Sequence, residues 1–314
     1  MTRTDVLTTP GRPRLHVAST GDGQAVLGIT GWTISSAVFR PFAAMLPDGF
    51  RAITYDHPGS GCSERAIGPV SVASLAADAV RVLDACRVGS AHVVGLSLGA
   101  AVALELAVRM PWRVRSLALV GGWSGGPASV LPGPRAVHGA LTGLARDSVR
   151  RRRLWPAAVL FSPSFLATTT PDRLEAAVEP FLERRGGTWT AATQTVAASC
   201  FNRRRSLETL RCPTLVAHGD QDVMSPVENA RRMAAAIPGA RLEIVPGGHA
   251  FPFEDLAATD ALCRSWFTEV AGADPPARPT ASGVVRERLT RPFALHTGAA
   301  RNQRDLLLRL ARRT

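Results

Sequence analysis

The pentapeptide Gly95-Leu96-Ser97-Leu98-Gly99 sets one hydroxyl between two glycines. It extends the apolar run that starts at Ala91 and leads into Leu98 to Met110, an Ala- and Leu-rich helical pattern stopped by Pro111. In such a strand, tight turn and helix, the serine is forced into strained dihedrals. The positions on either side must then be nearly free of side chain, as Gly95 and Gly99 are. The hydroxyl stands above a sheet edge at the positive end of a helix, and the chemistry open to it is nucleophilic attack on a carbonyl. Because a serine hydroxyl is almost wholly protonated near neutral pH, it needs a base, and histidine has the suitable pKa.

Seven histidines compete for that role. His249 sits in Pro246-Gly247-Gly248-His249-Ala250, directly after the apolar run Leu242 to Val245, at the same expected sheet edge as Ser97. His92 lies at the wrong end of the Ser97 strand, and His218 closes another strand and reads as packing or support. His138 lies in a helical insertion, while His16 and His296 fall outside the expected core. The base in turn needs a carboxylate to hold one tautomer and stabilise its cation. Gly219-Asp220-Gln221-Asp222 follows the run Thr214 to His218 and brings two acids within reach; each also reads as a turn cap.

These loops need a scaffold. Short apolar runs at Gln24 to Thr30, Phe50 to Asp56, Ala91 to Leu96 and Val114 to Val120 alternate with helical patterns at Ser36 to Leu46, Ser71 to Arg87 and Leu98 to Met110. Further strands at 214–218 and 242–245 are each followed by a helical pattern, Val227 to Ala236 and Asp255 to Val270. Arg14 to Ala18 reads as an edge strand. The alternation predicts an α/β fold with a mostly parallel twisted sheet covered by helices on both faces. Residues 124–205 interrupt it with Pro-broken helical pieces, too long a stretch for a loop, and are expected to form a lid over the carboxyl edge where ligands bind. The expected division is a core of 1–123 and 206–272, a cap of 124–205, and a Pro/Arg-rich, flexible basic tail of 273–314.

At 314 residues the chain can bury a large core, and no stretch approaches the roughly 18 apolar residues of a membrane span. The net charge of +12 is uneven: 124–205 carries +7, 273–314 carries +6, and the remainder −1. Every one of the 37 basic residues is Arg, which looks like a codon bias rather than selection for phosphate, so no nucleic-acid partner is expected. Five scattered cysteines without C-x-x-C spacing argue against a disulfide framework or a zinc site. The N-terminal residues lack an apolar signal core, and a cytoplasmic location is expected. The sequence does not address oligomeric state.

Taken together, the motifs from residue 14 to 272, in the order Ser, Asp, His, resemble the α/β-hydrolase superfamily with a serine nucleophile. In that family the acid loop reads Gly-x-x-Asp with Pro four positions on, here Gly219 to Asp222 with Pro226, so the resemblance selects Asp222. Asp56-His57-Pro58-Gly59-Ser60-Gly61-Cys62-Ser63 resembles the turn that braces the sheet and the nucleophile loop, which makes His57 structural. The resemblance also implies an oxyanion hole from the backbone N–H groups of Leu98 and Trp32, although many relatives carry His-Gly where this chain has Thr30-Gly31. The serine sets the chain apart from dehalogenases and epoxide hydrolases that use Asp.

The implied activity is hydrolysis of a small-molecule ester or lactone through an acyl-enzyme on Ser97, with no cofactor and no metal. Gly31, Trp123 and Trp155 are pocket candidates, whereas Phe161, Phe165, Phe181, Trp189 and Phe201 mostly read as lid packing. The Arg150 to Arg153 and Arg203 to Arg205 runs suit solvated helix faces, or steering of an anionic substrate such as an acyl-carrier or pantetheine thioester. A thioesterase or non-hydrolytic lyase on the same triad is the alternative. A non-catalytic binding protein is a further one.

Overall fold

The computed structural model describes residues 4–127, 129–130 and 157–278. Eight strands among them form one sheet: β1 (Thr4–Thr8), β2 (His16–Thr20), β3 (Gln24–Ile29), β4 (Phe50–Tyr55), β5 (Ala91–Leu96), β6 (Val114–Val120), β7 (Thr214–Gly219) and β8 (Arg241–Val245). Their order is β1-β2-β4-β3-β5-β6-β7-β8. Both pairings of β2 are antiparallel, and every pairing from β4 to β8 is parallel. From β3 the chain steps outward to β4 and then returns to β5 on the other side, so the loops leaving β3 and β5 diverge at adjacent carboxyl ends. That is where open α/β sheets bind ligands.

The strand ladder assigns the core. Along β5 and β6 successive residues face opposite sides, so Val93, Leu117 and Leu119 join one apolar cluster and Val94, Leu96 and Ala118 the other. Helices α2 (Val72–Ala85) and α3 (Leu98–Arg109) cover the first face. Helix α1 (Arg40–Met45), preceded by a 3-10 turn over Ser36–Phe39, and α9 (Leu256–Val270) lie on the second. Two helix starts follow from side chains that satisfy free N–H groups. Ser71 and Ser74 exchange side-chain and backbone hydrogen bonds at 3.0 and 2.8 Å, and Asp255 accepts from Ala257 and Ala258. Among the described residues, no helix is long and apolar enough to cross a membrane.

Two expectations are corrected. The strand predicted from Arg14 spans His16–Thr20 and is interior, because β1, whose residues are mostly exposed and lack an apolar face, adds outside it. The single helix predicted from Ser36 to Leu46 divides into a 3-10 turn and a short α-helix starting at Arg40, with Pro41 in its first turn.

Between β6 and β7, residues 157–160 are helical and are followed by α4 (Pro163–Thr168), α5 (Pro171–Leu182) and α6 (Thr188–Ser199). The base of this insertion is pinned to α3. Arg203 makes bonds of 2.5 and 2.7 Å to the buried Glu105, which also pairs with Arg109, and Gly125 bridges Asn202. Arg203 is therefore held by a carboxylate instead of standing on a solvated face. Residues 273–278 lie against the body, where Arg115 donates to the Ala273 carbonyl and the Arg278 guanidinium stands over Trp112. The rest of the expected tail, 279–314, falls outside the described residues.

Candidate active site

Ser97 adopts φ +57° and ψ −117°, a conformation rarely taken by a residue with a Cβ and worth on the order of 1–3 kcal/mol of strain. Packing holds it there. A Cβ on Gly99 would meet the Ile29 carbonyl oxygen at 2.0 Å, and one on Gly95 the Gly99 oxygen at 2.3 Å, so only glycines let α3 approach β3 and β5 this closely. The Ser97 N–H donates to the Val120 carbonyl at 2.8 Å, tying the turn to β6. Its hydroxyl lies at the N-terminus of α3, whose first N–H groups have no partner within the helix.

His249 follows β8 and points both ring nitrogens at partners. Nε2 is 2.8 Å from Ser97 Oγ, and Nδ1 is 2.7 Å from Asp222 Oδ2. A carboxylate oxygen can only accept, so Nδ1 carries the proton and Nε2 is left with the lone pair facing the hydroxyl. Burial lowers the His249 pKa, but the Asp222 charge and hydrogen bond outweigh that, leaving it above the ordinary imidazole value. Asp222 is itself buried after β7. Burial pushes its carboxyl up, whereas the His249 charge and the contacts from His218 and His249 hold it well below the usual carboxylate range. Oδ1 accepts the N–H groups of Met224 and Ser225, both at 2.8 Å.

His218, expected as packing or support, stands on the same carboxylate: its Nε2 is 3.2 Å from Asp222 Oδ2 and 2.5 Å from the Ser225 carbonyl oxygen. Since a carbonyl only accepts, the proton sits on Nε2, and Asp222 is flanked by two imidazoles. Asp220 turns away to accept the Gly247 N–H at 2.9 Å, so it braces the histidine loop. His57 donates from Nε2 to the Thr30 carbonyl and is neutral near pH 7, its pKa lowered by burial to about 4. His92 binds Ser116 and Gln24 inside the sheet, away from this edge.

The loop after β3 lies against the serine, since a Cβ on Gly31 would sit 3.4 Å from Ser97 Cβ. The insertion holds this loop from above: the Trp32 indole N–H donates to the Ala191 carbonyl and to Thr195 Oγ1, and the Thr33 N–H donates to Gln194 Oε1 at 2.7 Å. The insertion also reaches the histidine loop through Glu254, which accepts from the Gly248 N–H and from both the N–H and hydroxyl of Ser162.

A model of the alpha/beta hydrolase fold matches residues 24–256. The chain belongs to the α/β-hydrolase family. RutD of Azorhizobium caulinodans, named for carbamate hydrolysis, is 32% identical over 243 residues, covering 77% of this chain and 90% of that protein. A 2-hydroxy-6-oxononadienedioate/2-hydroxy-6-oxononatrienedioate hydrolase of Cupriavidus pinatubonensis is 28% identical over 243 residues, 74% of this chain and 82% of its own. A thermophilic esterase from Thermogutta terrifontis superposes with a TM-score of 0.67 at 25% identity, over 85% of this chain and 99% of that one. The relatives are hydrolases, and this chain is an enzyme of that class.

In this α/β hydrolase the pocket candidates separate. Gly31 borders Ser97, Trp123 packs partly buried on the core cluster, and Trp155 lies outside the described residues, as does the Arg150 to Arg153 run. Phe161 stacks on Phe165 and meets Phe181 edge-on, and Phe181 in turn meets Phe253 edge-on, with ring centres 4.8–6.2 Å apart, which assigns Phe161, Phe165 and Phe181 of the insertion to packing. An apolar cavity of about 90 Å³ between α1 and α9 is lined by Phe39, Phe42, Phe251 and Trp266 but by none of Ser97, Asp222 or His249. The contacts of Gln194 and Glu254 carry no signature in the sequence. Both residues sit in helices, and Gln194 meets Thr33, as Glu254 meets Ser162, only across the fold.

Proposed function

We propose that this enzyme is a serine hydrolase of small-molecule acyl compounds, an ester or lactone first, and that Ser97 carries the acyl group. The observation that supports it most is the unbroken relay from Asp222 through His249 to a hydroxyl held at positive φ. Ser97 Oγ attacks the carbonyl carbon while His249 Nε2 takes its proton, and Asp222 stabilises the imidazolium. The negative charge that develops on the carbonyl oxygen is met by the N–H groups of Trp32 and Leu98. Each such donor is typically worth about 10² to 10³ in rate, because the charge exists only in the transition state. Collapse expels the leaving group with the His249 proton; water, deprotonated by His249, then releases the acid and restores Ser97. Residues 124–205 act as a lid in this reading.

Carbamate cleavage is a second reading, favoured by the RutD relative; it presents the same serine with a carbonyl of lower electrophilicity. The test is a panel of p-nitrophenyl esters, lactones, carbamates and acyl thioesters on wild type and Ser97→Ala, with fluorophosphonate labelling. The alanine variant should lose at least about a thousandfold in kcat/KM and all labelling. Full activity in that variant refutes the covalent route, and the best substrate of the panel separates ester, carbamate and thioester chemistry.

A further inference from the structure

Every hydrogen bond found on Trp32 and Thr33 among the described residues comes from residues 185–195 of the insertion. From this we propose that Gln194 of α6 is a positioning residue that sets the Trp32 N–H as an oxyanion donor, an inference that rests on the serine-hydrolase reading. Gln194 is fully buried, and its Oε1 accepts the Thr33 N–H at 2.7 Å. Thr33 sits at φ +59°, where a β-branched residue is strained, so something must hold it there. The Gly186 N–H on the Thr33 carbonyl and Arg185 on its hydroxyl complete the clamp, and the Arg185 guanidinium stands 5.7 Å from the Trp32 ring centre.

The geometry explains how a side chain bonded to the adjacent peptide plane can aim a donor. The Gln194 bond fixes the plane joining Trp32 to Thr33, and the indole bonds to Ala191 and Thr195 fix the Cα–Cβ direction of Trp32. On the other side the Gly31 backbone lies beside Ile34, Leu96 and Ser97, where a Cβ would come within 3.2–3.4 Å of each. With both flanks set, the Trp32 N–H has one direction left. A small error there matters, because donors to a developing oxyanion act only when they are pre-aimed.

The test is Gln194→Met, which keeps length and burial but removes the acceptor, compared with Gln194→Glu, which keeps a carboxyl oxygen in either protonation state. With the best ester of the panel, Gln194→Met should lower kcat about 10- to 100-fold with KM within about threefold, and should weaken a boronic acid transition-state analogue by the same factor. Gln194→Glu should stay within about fivefold of wild type. Unchanged kcat in Gln194→Met, or a kcat loss with boronate affinity intact, overturns the proposal. If Gln194→Met does not fold, as judged by circular dichroism, Trp32→Phe removes the indole clamp. It should show the same paired loss, and its failure to do so is equally decisive. Fluorophosphonate labelling of wild type and silence of Ser97→Ala establish the underlying reading separately, so a failure of this inference is distinguishable from a failure of that one.

Discussion

At the residue scale the competence of the site depends on the proton of His249. Attack needs a bare Nε2, and the folded enzyme holds the His249 pKa above the ordinary 6.5, so the acid limb of kcat/KM should fall above pH 6.5. Asp222→Asn removes the charge and the hydrogen bond that raise it, leaving the lowering effect of burial. The limb should move to lower pH while kcat drops about 10³- to 10⁴-fold, because an amide can hold the ring in the wrong tautomer. A pH–rate profile of both proteins checks this, and a limb that stays in place would mean Asp222 does not face the imidazole in solution. The choice between Asp220 and Asp222 could not be made from residue type alone. It followed from the family resemblance, and distances separate the two aspartates as His249 partner and loop brace.

At the element scale the decisive unit is β5, its turn and α3. The Gly-x-Ser-x-Gly spacing was legible because it reports a local requirement, room for two backbones to cross. What the room is for becomes visible only in three dimensions, where Gly99 lies on the carbonyl of Ile29 in a strand some seventy residues earlier. Gly99→Ala should therefore cost about 2–4 kcal/mol in a urea titration and displace the loop after β3 together with the serine turn, since the obstacle is backbone and cannot swing aside. A wild-type midpoint with wild-type kcat would contradict that packing. Other elements were less legible. β1 went unseen because an edge strand with mostly exposed residues has no apolar face to betray its period.

At the scale of the whole molecule, burial of neutral histidines sets the acid limit. His57 and His92 have their pKa values lowered by burial to about 4, while the unfolded chain takes up those protons from pH 6.5 downward. The unfolded state binds more protons across that window, so stability falls as the pH drops from 6.5 to 4. The fully buried His57 contributes about 3 kcal/mol to the loss. His249 has the opposite sign: its raised pKa adds stability that is complete below 6.5 and lost as the pH rises through the folded value. His57→Gln, which can still donate to Thr30, should flatten the fall in urea midpoint between pH 6.5 and 4; an unchanged slope would assign it elsewhere. By itself the sequence determined the strand and helix alternation and the serine turn, and it narrowed the candidate base and acid to two loops, because these are written in local periodicity and in motifs of a few adjacent residues; the choice of Asp222 over Asp220 needed the family resemblance. Only the tertiary structure decided that α6 holds the Trp32–Thr33 loop, that Glu254 ties the histidine loop to the insertion and that Asp222 serves two imidazoles. The contacts that join the insertion to the core span 92 positions between Ser162 and Glu254 and 163 between Trp32 and Thr195, and no local pattern encodes a pairing that chain folding alone brings within hydrogen-bond reach.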